Sequence, residues 1–151
     1  MMGSLNGGGF GFPVTYSILF DGLQVLTADA EAASGDASRS DPWGVTVPTG
    51  YDLYIVAIDL TRYMGAPTAG SLSTLVRNGD TDEAFGNTPS PQLIAGGAGW
   101  SFDSVSAGAC RVPQETPIRA SIYTSSDFAH NWSAANVRMN IYGYLREAIT
   151  E

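Results

Sequence analysis

The chain has 151 residues, a single cysteine, 44% hydrophobic content and a formal net charge of -8. One domain of this length can bury roughly 70% of the surface that its unfolded form exposes, so it needs no disulfide or metal to hold it together, and Cys110 is expected to be a free buried thiol. The seven basic residues are all arginines, scattered along the chain against fifteen acidic ones, which argues against a phosphate backbone as partner, since that needs a basic patch.

The N-terminus, M-M-G-S-L-N-G-G-G-F-G-F-P, has neither the positive start nor the continuous apolar stretch of a signal peptide, and no run of about 18 apolar residues exists to span a membrane. Residues 1–13 interleave five glycines with Leu5, Phe10 and Phe12. Such a segment is too flexible to order itself in water, and it reads as an extended arm whose three apolar side chains wait for a partner. Residues 14–151 then form the folded domain.

Val14 to Phe20 alternates, with Val14, Tyr16, Ile18 and Phe20 on one face. Asp21-Gly22 follows, a pair that tolerates the positive φ of a type I′ turn, and Leu23 to Thr27 would be the second arm of a hairpin. Ala28 to Asp41 is small, acidic and turn-prone, a surface loop with room for a short helix at Ala28 to Ala33. Val45 to Leu60, V-T-V-P-T-G-Y-D-L-Y-I-V-A-I-D-L, reads as strand, tight turn and strand, a second hairpin punctuated by Pro48 and Gly50.

A loop from Thr61 to Gly70 leads to a strand at Leu72 to Arg77. Asn78 to Pro91 is long, irregular and rich in acid, Gly and Pro, and loops of this length are uncommon unless they bind something. Gln92 to Ile94, Ser101 to Val105 and Ala109 to Val112 are weaker strands around the Gly-rich A-G-G-A-G. Pro117 to Thr124 and Asn136 to Arg146 are stronger ones. In the last, Val137, Met139 and Ile141 face one way and Arg138, Asn140 and Tyr142 the other, until Gly143 marks a bulge or a close backbone approach. Eight to ten strands without a convincing helix make an all-β, antiparallel two-sheet sandwich, with the jelly roll as its candidate topology.

No arrangement of catalytic residues stands out. A serine or cysteine nucleophile needs a base and an orienting group; the only histidine, His130, lies in a loop without an activation motif. Asp80, Asp82 and Glu83 beside Asn78 are oxygen-rich enough for Ca²⁺, but their spacing is not that of an EF-hand and a solvated acidic loop is the commoner case. One His and one Cys without C-x-x-C give no transition-metal pattern. Asp52 and Asp59 stand an odd number of residues apart, so an uninterrupted strand sends them to opposite faces and not into a glycosidase pair. The sequence therefore points to a non-enzymatic protein without cofactor or metal. A glycan-binding module is the contrasting class, with Trp43, Trp100 and Trp132 as ligand-facing aromatics, joined by Tyr63 and Phe85, since such rings stack on the apolar faces of sugars.

The arm Gly3 to Gly11, the pattern V-x-V-P-x-G-Y-x-L-Y-I-V-A-I at Val45 to Ile58, and the closing P-I-R-A-S-I-Y-T and M-N-I-Y-G-Y-L together resemble the small β-sandwich structural proteins of tailed bacteriophages, such as capsid decoration (cement) proteins and spike modules. The resemblance covers about a third of the chain and carries no functional residue across. It implies a virion protein, made in the host cytoplasm, that binds an assembled capsid, often forms trimers and embraces its neighbours with an extended arm.

Overall fold

The computed structural model describes residues 11–19, 31–33, 45–62, 68–106, 108–129 and 137–149. The described residues contain nine strands and no helix: β1 (Phe12–Leu19), β2 (Glu31–Ala33), β3 (Tyr51–Arg62), β4 (Ser71–Asn78), β5 (Gln92–Ile94), β6 (Trp100–Ser104), β7 (Cys110–Val112), β8 (Ile118–Thr124) and β9 (Val137–Glu147). They make two antiparallel sheets. One runs β1-β9-β3, with β6 and β7 both paired to the far side of β3, and the other runs β2-β8-β4-β5. If β6 and β7 are counted as one interrupted edge strand, eight strands remain, in the orders 1-8-3-6 and 2-7-4-5, each sheet drawing its neighbours from both ends of the chain. That is the jelly roll, two interleaved Greek keys folded face to face.

The space between the sheets is filled with apolar side chains. Leu53, Ile55, Ile58 and Leu60 of β3, Met139 and Ile141 of β9, Leu72 and Val76 of β4 and Ile118 and Ile122 of β8 are fully buried and belong to one cluster. Among the described residues the interior is thus a packed apolar core.

Several expectations change on contact with the pairing. The apparent hairpin at Val45 to Leu60 is a corner between sheets. Val45 to Val47 runs beside Thr116 to Ile118, with a bridge from Thr46 to Pro117 and hydrogen bonds from Val47 N to Thr116 O (3.0 Å) and from Ile118 N to Val45 O (2.9 Å). The turn then closes from Tyr51 N to Pro48 O at 3.2 Å, and the chain enters β3 in the other sheet. Turn residues mark a change of direction without saying which strands their arms will join. The surface loop or short helix expected over Ala28 to Ala33 contains strand β2, because pairing with the buried β8 outweighs the weak helix preference of alanine. The Leu23 to Thr27 arm lies outside the described residues. Phe12, counted with the arm, is the first residue of β1, opposite Leu145.

Gly143 behaves as its place in the sequence suggested. The β3–β9 register shifts between Ile55 and Ala57, so Val56 bulges opposite it. A Cβ at position 143 would stand 2.4 Å from the Tyr54 carbonyl oxygen, an approach open only to glycine. The bulge also reverses the parity of β3. Leu53 and Ile55 before it and Ile58 and Leu60 after it all face the core, so Asp52 and Asp59 both project from the outer face, contrary to the reading of an uninterrupted strand.

Candidate functional site: the outer face and open edge of the five-stranded sheet

Cross-strand pairing lays the outer face out in rows. Ser17, Asn140, Asp59 and Phe102 form one row across β1, β9, β3 and β6. Arg138, Thr61 and Trp100 form the next across β9, β3 and β6, while Pro13, Tyr144, Tyr54 and Arg111 form a third nearer the other end.

The middle of this face is a fixed polar network. Asn140 Nδ2 donates to Asp59 Oδ1 at 2.9 Å, Tyr142 Oη donates to Asp59 Oδ2 at 2.5 Å, and Ser17 Oγ donates to Asn140 Oδ1. The bond to Asp59, followed by burial, raises the Tyr142 phenol above its ordinary value, because ionisation would remove the donated proton and set two negative charges together. At one end, the Tyr54 and Tyr144 rings stack at 5.3 Å and Arg146 lies over Tyr54. There Asp52, only 1% exposed, accepts from Arg111 Nε and Nη2 at 2.8 Å, from Gln114 N at 3.0 Å and more distantly from Ile149 N at 3.4 Å. The same bond raises the Arg111 guanidinium. Asp52 thereby joins the start of β3, the turn after β7 and the segment after β9. With six strand steps between them, Asp52 and Asp59 are about 20 Å apart, far beyond the reach of paired carboxylates in a glycosidase.

At the other end the face is open. Trp100 and Phe102 are 62% and 54% exposed, the least covered large apolar side chains on this sheet beside Phe12 at 56%. Of the residues expected from sequence to meet a partner, Trp100 and Phe12 are thus both displayed, Phe12 edge-on to Tyr51 at 6.0 Å, and they belong to opposite edges of the sheet. Leu5, Phe10, Trp43 and Trp132 lie outside the described residues, as do Tyr63 and His130. Phe85 is half-buried against the core and so anchors its loop to the sandwich. Phe102 was missed as a site residue, though its place two residues after Trp100 in W-S-F-D-S carries the signal: on a strand, the two rings share a face.

The loop from Asn78 to Pro91 is folded back on the sandwich. Asn78 N donates to Glu83 O at 2.8 Å, Ser90 N to Asp103 Oδ2 at 2.7 Å, and Ser90 Oγ to Thr74 O at 2.7 Å, while Pro89 and Pro91 are buried. The Asp82 carboxylate is engaged by Arg119 and its carbonyl by Arg77. Among the described residues, no group of three or more His, Cys, Asp or Glu is placed to hold a metal ion. Cys110 is free and fully buried, and burial raises its thiol against a smaller lowering by Thr88.

No family model matches the chain, and no curated protein does. Among solved structures it is similar to the coat protein of tobacco streak virus, at 10% identity and a TM-score of 0.43, over 92% of this chain and 89% of that one. It is also similar to the Eiger TNF of S. frugiperda, at 12% identity and a TM-score of 0.34, over 90% and 96% of the two chains.

Proposed function

We propose that this chain is a non-enzymatic structural protein of a virus particle, of the decoration or minor capsid kind, which assembles with copies of itself and with an assembled shell through its perimeter. The observation that carries this reading is the contrast between a jelly roll whose described core is one mainly aliphatic cluster and large apolar residues displayed at its margins, Phe12 on one edge and Trp100 and Phe102 on the other. A protein that works on small molecules places its chemistry in a concave pocket; one that assembles keeps its interior for stability and displays apolar anchors outside. Leu5 and Phe10 precede Phe12 in the Gly-rich arm and supply further anchors, each contributing roughly 1.5 to 3 kcal/mol on burial before ordering costs.

The test is removal of residues 1–11, which spares β1. The shortened chain is expected to keep its circular dichroism and thermal transition, to contain fewer chains per particle by light scattering than the full chain, and to lose attachment to particles. An unchanged number of chains together with unchanged attachment would remove the arm from the account. A second reading, a glycan-binding module, is favoured by the exposure of Trp100: in that case Trp100→Ala abolishes binding on a glycan array and leaves the solution mass unaltered.

A further inference from the structure

The edge strand β6 carries little of the protection that exposed sheet edges usually have. Val105 N donates to Val56 O at 2.9 Å and Arg62 N donates to Gly99 O at 3.0 Å. In an antiparallel ladder the hydrogen-bonded residues recur every second position, so Ser101 and Asp103 turn their main-chain groups toward β3, while Trp100, Phe102 and Ser104 turn theirs away. Among the described residues β6 pairs with β3 alone, which leaves those N–H and C=O groups facing outward. Natural edges are blunted by lysine, proline, bulges or inward-pointing charge. Strand β6 has no proline or basic residue; its single charge, Asp103, does point inward, opposite the core-facing Ile58, but it accepts from Ser90 N at 2.7 Å and leaves the outer face and the outward main chain uncovered. Two of the three residues with open main chain, Trp100 and Phe102, also carry the exposed rings, so one short segment offers main-chain hydrogen bonds and apolar anchors together.

We propose that β6 is a self-association edge, on which β6 of a second copy adds antiparallel about a two-fold axis with Phe102 opposite Phe102. The register follows from the phase of the ladder. Only pairing that sets the outward groups of Trp100, Phe102 and Ser104 against those of Ser104, Phe102 and Trp100 of the other copy satisfies all of them, with up to about six main-chain hydrogen bonds. In that register the two Phe102 rings meet at the centre and each Trp100 stands diagonal to the other copy's Phe102, within reach of an aromatic side chain. No charged side chain of β6 projects from that face, so nothing local repels a second copy. That self-complementarity makes this chain the occupant. The net charge of -8 on each copy opposes approach at long range, and association strengthens as salt screens it.

The proposal deepens the assembly reading but is independent of the arm, so its test uses the chain both with and without residues 1–11. In the Phe102→Cys variant the two new thiols lie across the axis at a Cα separation of about 5.5 Å, within disulfide range, and an added oxidant such as copper phenanthroline should give a covalent dimer. Trp100→Cys is the register control: its two sulfur positions would be about 13 Å apart and should not link. Cys110 is fully buried, and the unsubstituted chain should not link either. Ser104→Pro removes an N–H that the monomer leaves unused, at an edge position where proline is tolerated; it should keep the circular dichroism of the parent and lose the salt-promoted dimer. Absence of cross-linking in Phe102→Cys, equal cross-linking of both cysteine variants, or a dimer that persists in a folded Ser104→Pro chain would each overturn the proposal. If Ser104→Pro lost particle attachment while Phe102→Cys never linked, the edge would receive a strand from another protein and not from a second copy.

Discussion

Strands β6 and β7 flank the same strand from the same side, yet the outward side chain of one is tied down and those of the other are bare. In β7, Cys110 and Val112 face the core and the outward residue, Arg111, is bound by the buried Asp52 carboxylate. In β6 the outward residues are Trp100 and Phe102, opposite Thr61 and Asp59. Asp59 has already committed its carboxylate to Asn140 and Tyr142 on the other flank of β3 and offers nothing to the edge. The difference between the tied and the bare outer surface thus follows from which flank of β3 each aspartate engages, Asp52 reaching Arg111 of β7 and Asp59 reaching Asn140 and Tyr142 of β9. Both aspartates share one face because the Val56 bulge shifts the strand by a residue, and the bulge is accommodated by Gly143.

The comparison breaks most severely at Gly143. In Gly143→Ala the new methyl would be driven into a main-chain carbonyl, and the loss on urea denaturation should be about 3 kcal/mol, with the two edge segments no longer held in their separate registers. Next is Asp52→Ala, which strips the acceptor from Arg111 and from the part-buried Gln114 amide; losing both partners of a buried carboxylate makes this about 2 kcal/mol, measured in the same way. On the open side, Trp100→Ser and Phe102→Ser should each change monomer stability by no more than about 0.5 kcal/mol while shifting the concentration dependence of the mass. A large loss of monomer stability in either would mean that the outward side chains of β6 are as tied down as Arg111 of β7.

The smallest effect is one of pH. The folded state holds the Tyr142 proton more tightly than the unfolded state, so the Tyr142–Asp59 contribution is complete below the ordinary tyrosine value near 10 and is lost as pH rises through the raised one. The stability difference between the parent and Tyr142→Phe should therefore be constant through neutral pH and shrink above about pH 10, as followed by denaturation at a series of pH values. An undiminished difference in alkali would remove the Tyr142 proton from the network.

Period-two alternation made most of the sheet legible in the sequence. Val137, Met139 and Ile141 are buried as their spacing required, Gln92–Ile94 holds a strand with the predicted limits, and Gly143 advertised a close approach. What stayed hidden depends on long-range pairing. Nothing in V-T-V-P-T-G-Y shows that Val45 to Val47 will run beside Thr116 to Ile118 and not return along β3. Glu31–Ala33 is a strand only because β8 lies beside it. Ser17, Asn140 and Asp59 are unremarkable as single letters, and their network exists only once β1, β9 and β3 are side by side. The exposure of Trp100 could be anticipated from its loop-flanked place, whereas the open main chain beneath it follows from the phase of the β3–β6 ladder.

Amide hydrogen exchange at Trp100, Phe102 and Ser104, measured in dilute solution and again at high protein concentration and salt, tests most directly whether this edge is where the protein assembles. Exchange at these three amides should be fast when dilute and slow when concentrated, with Ser101 and Asp103, bonded to β3, protected in both. Equal exchange of the three at both concentrations, in a sample whose mass has risen, would place assembly elsewhere and contradict the account.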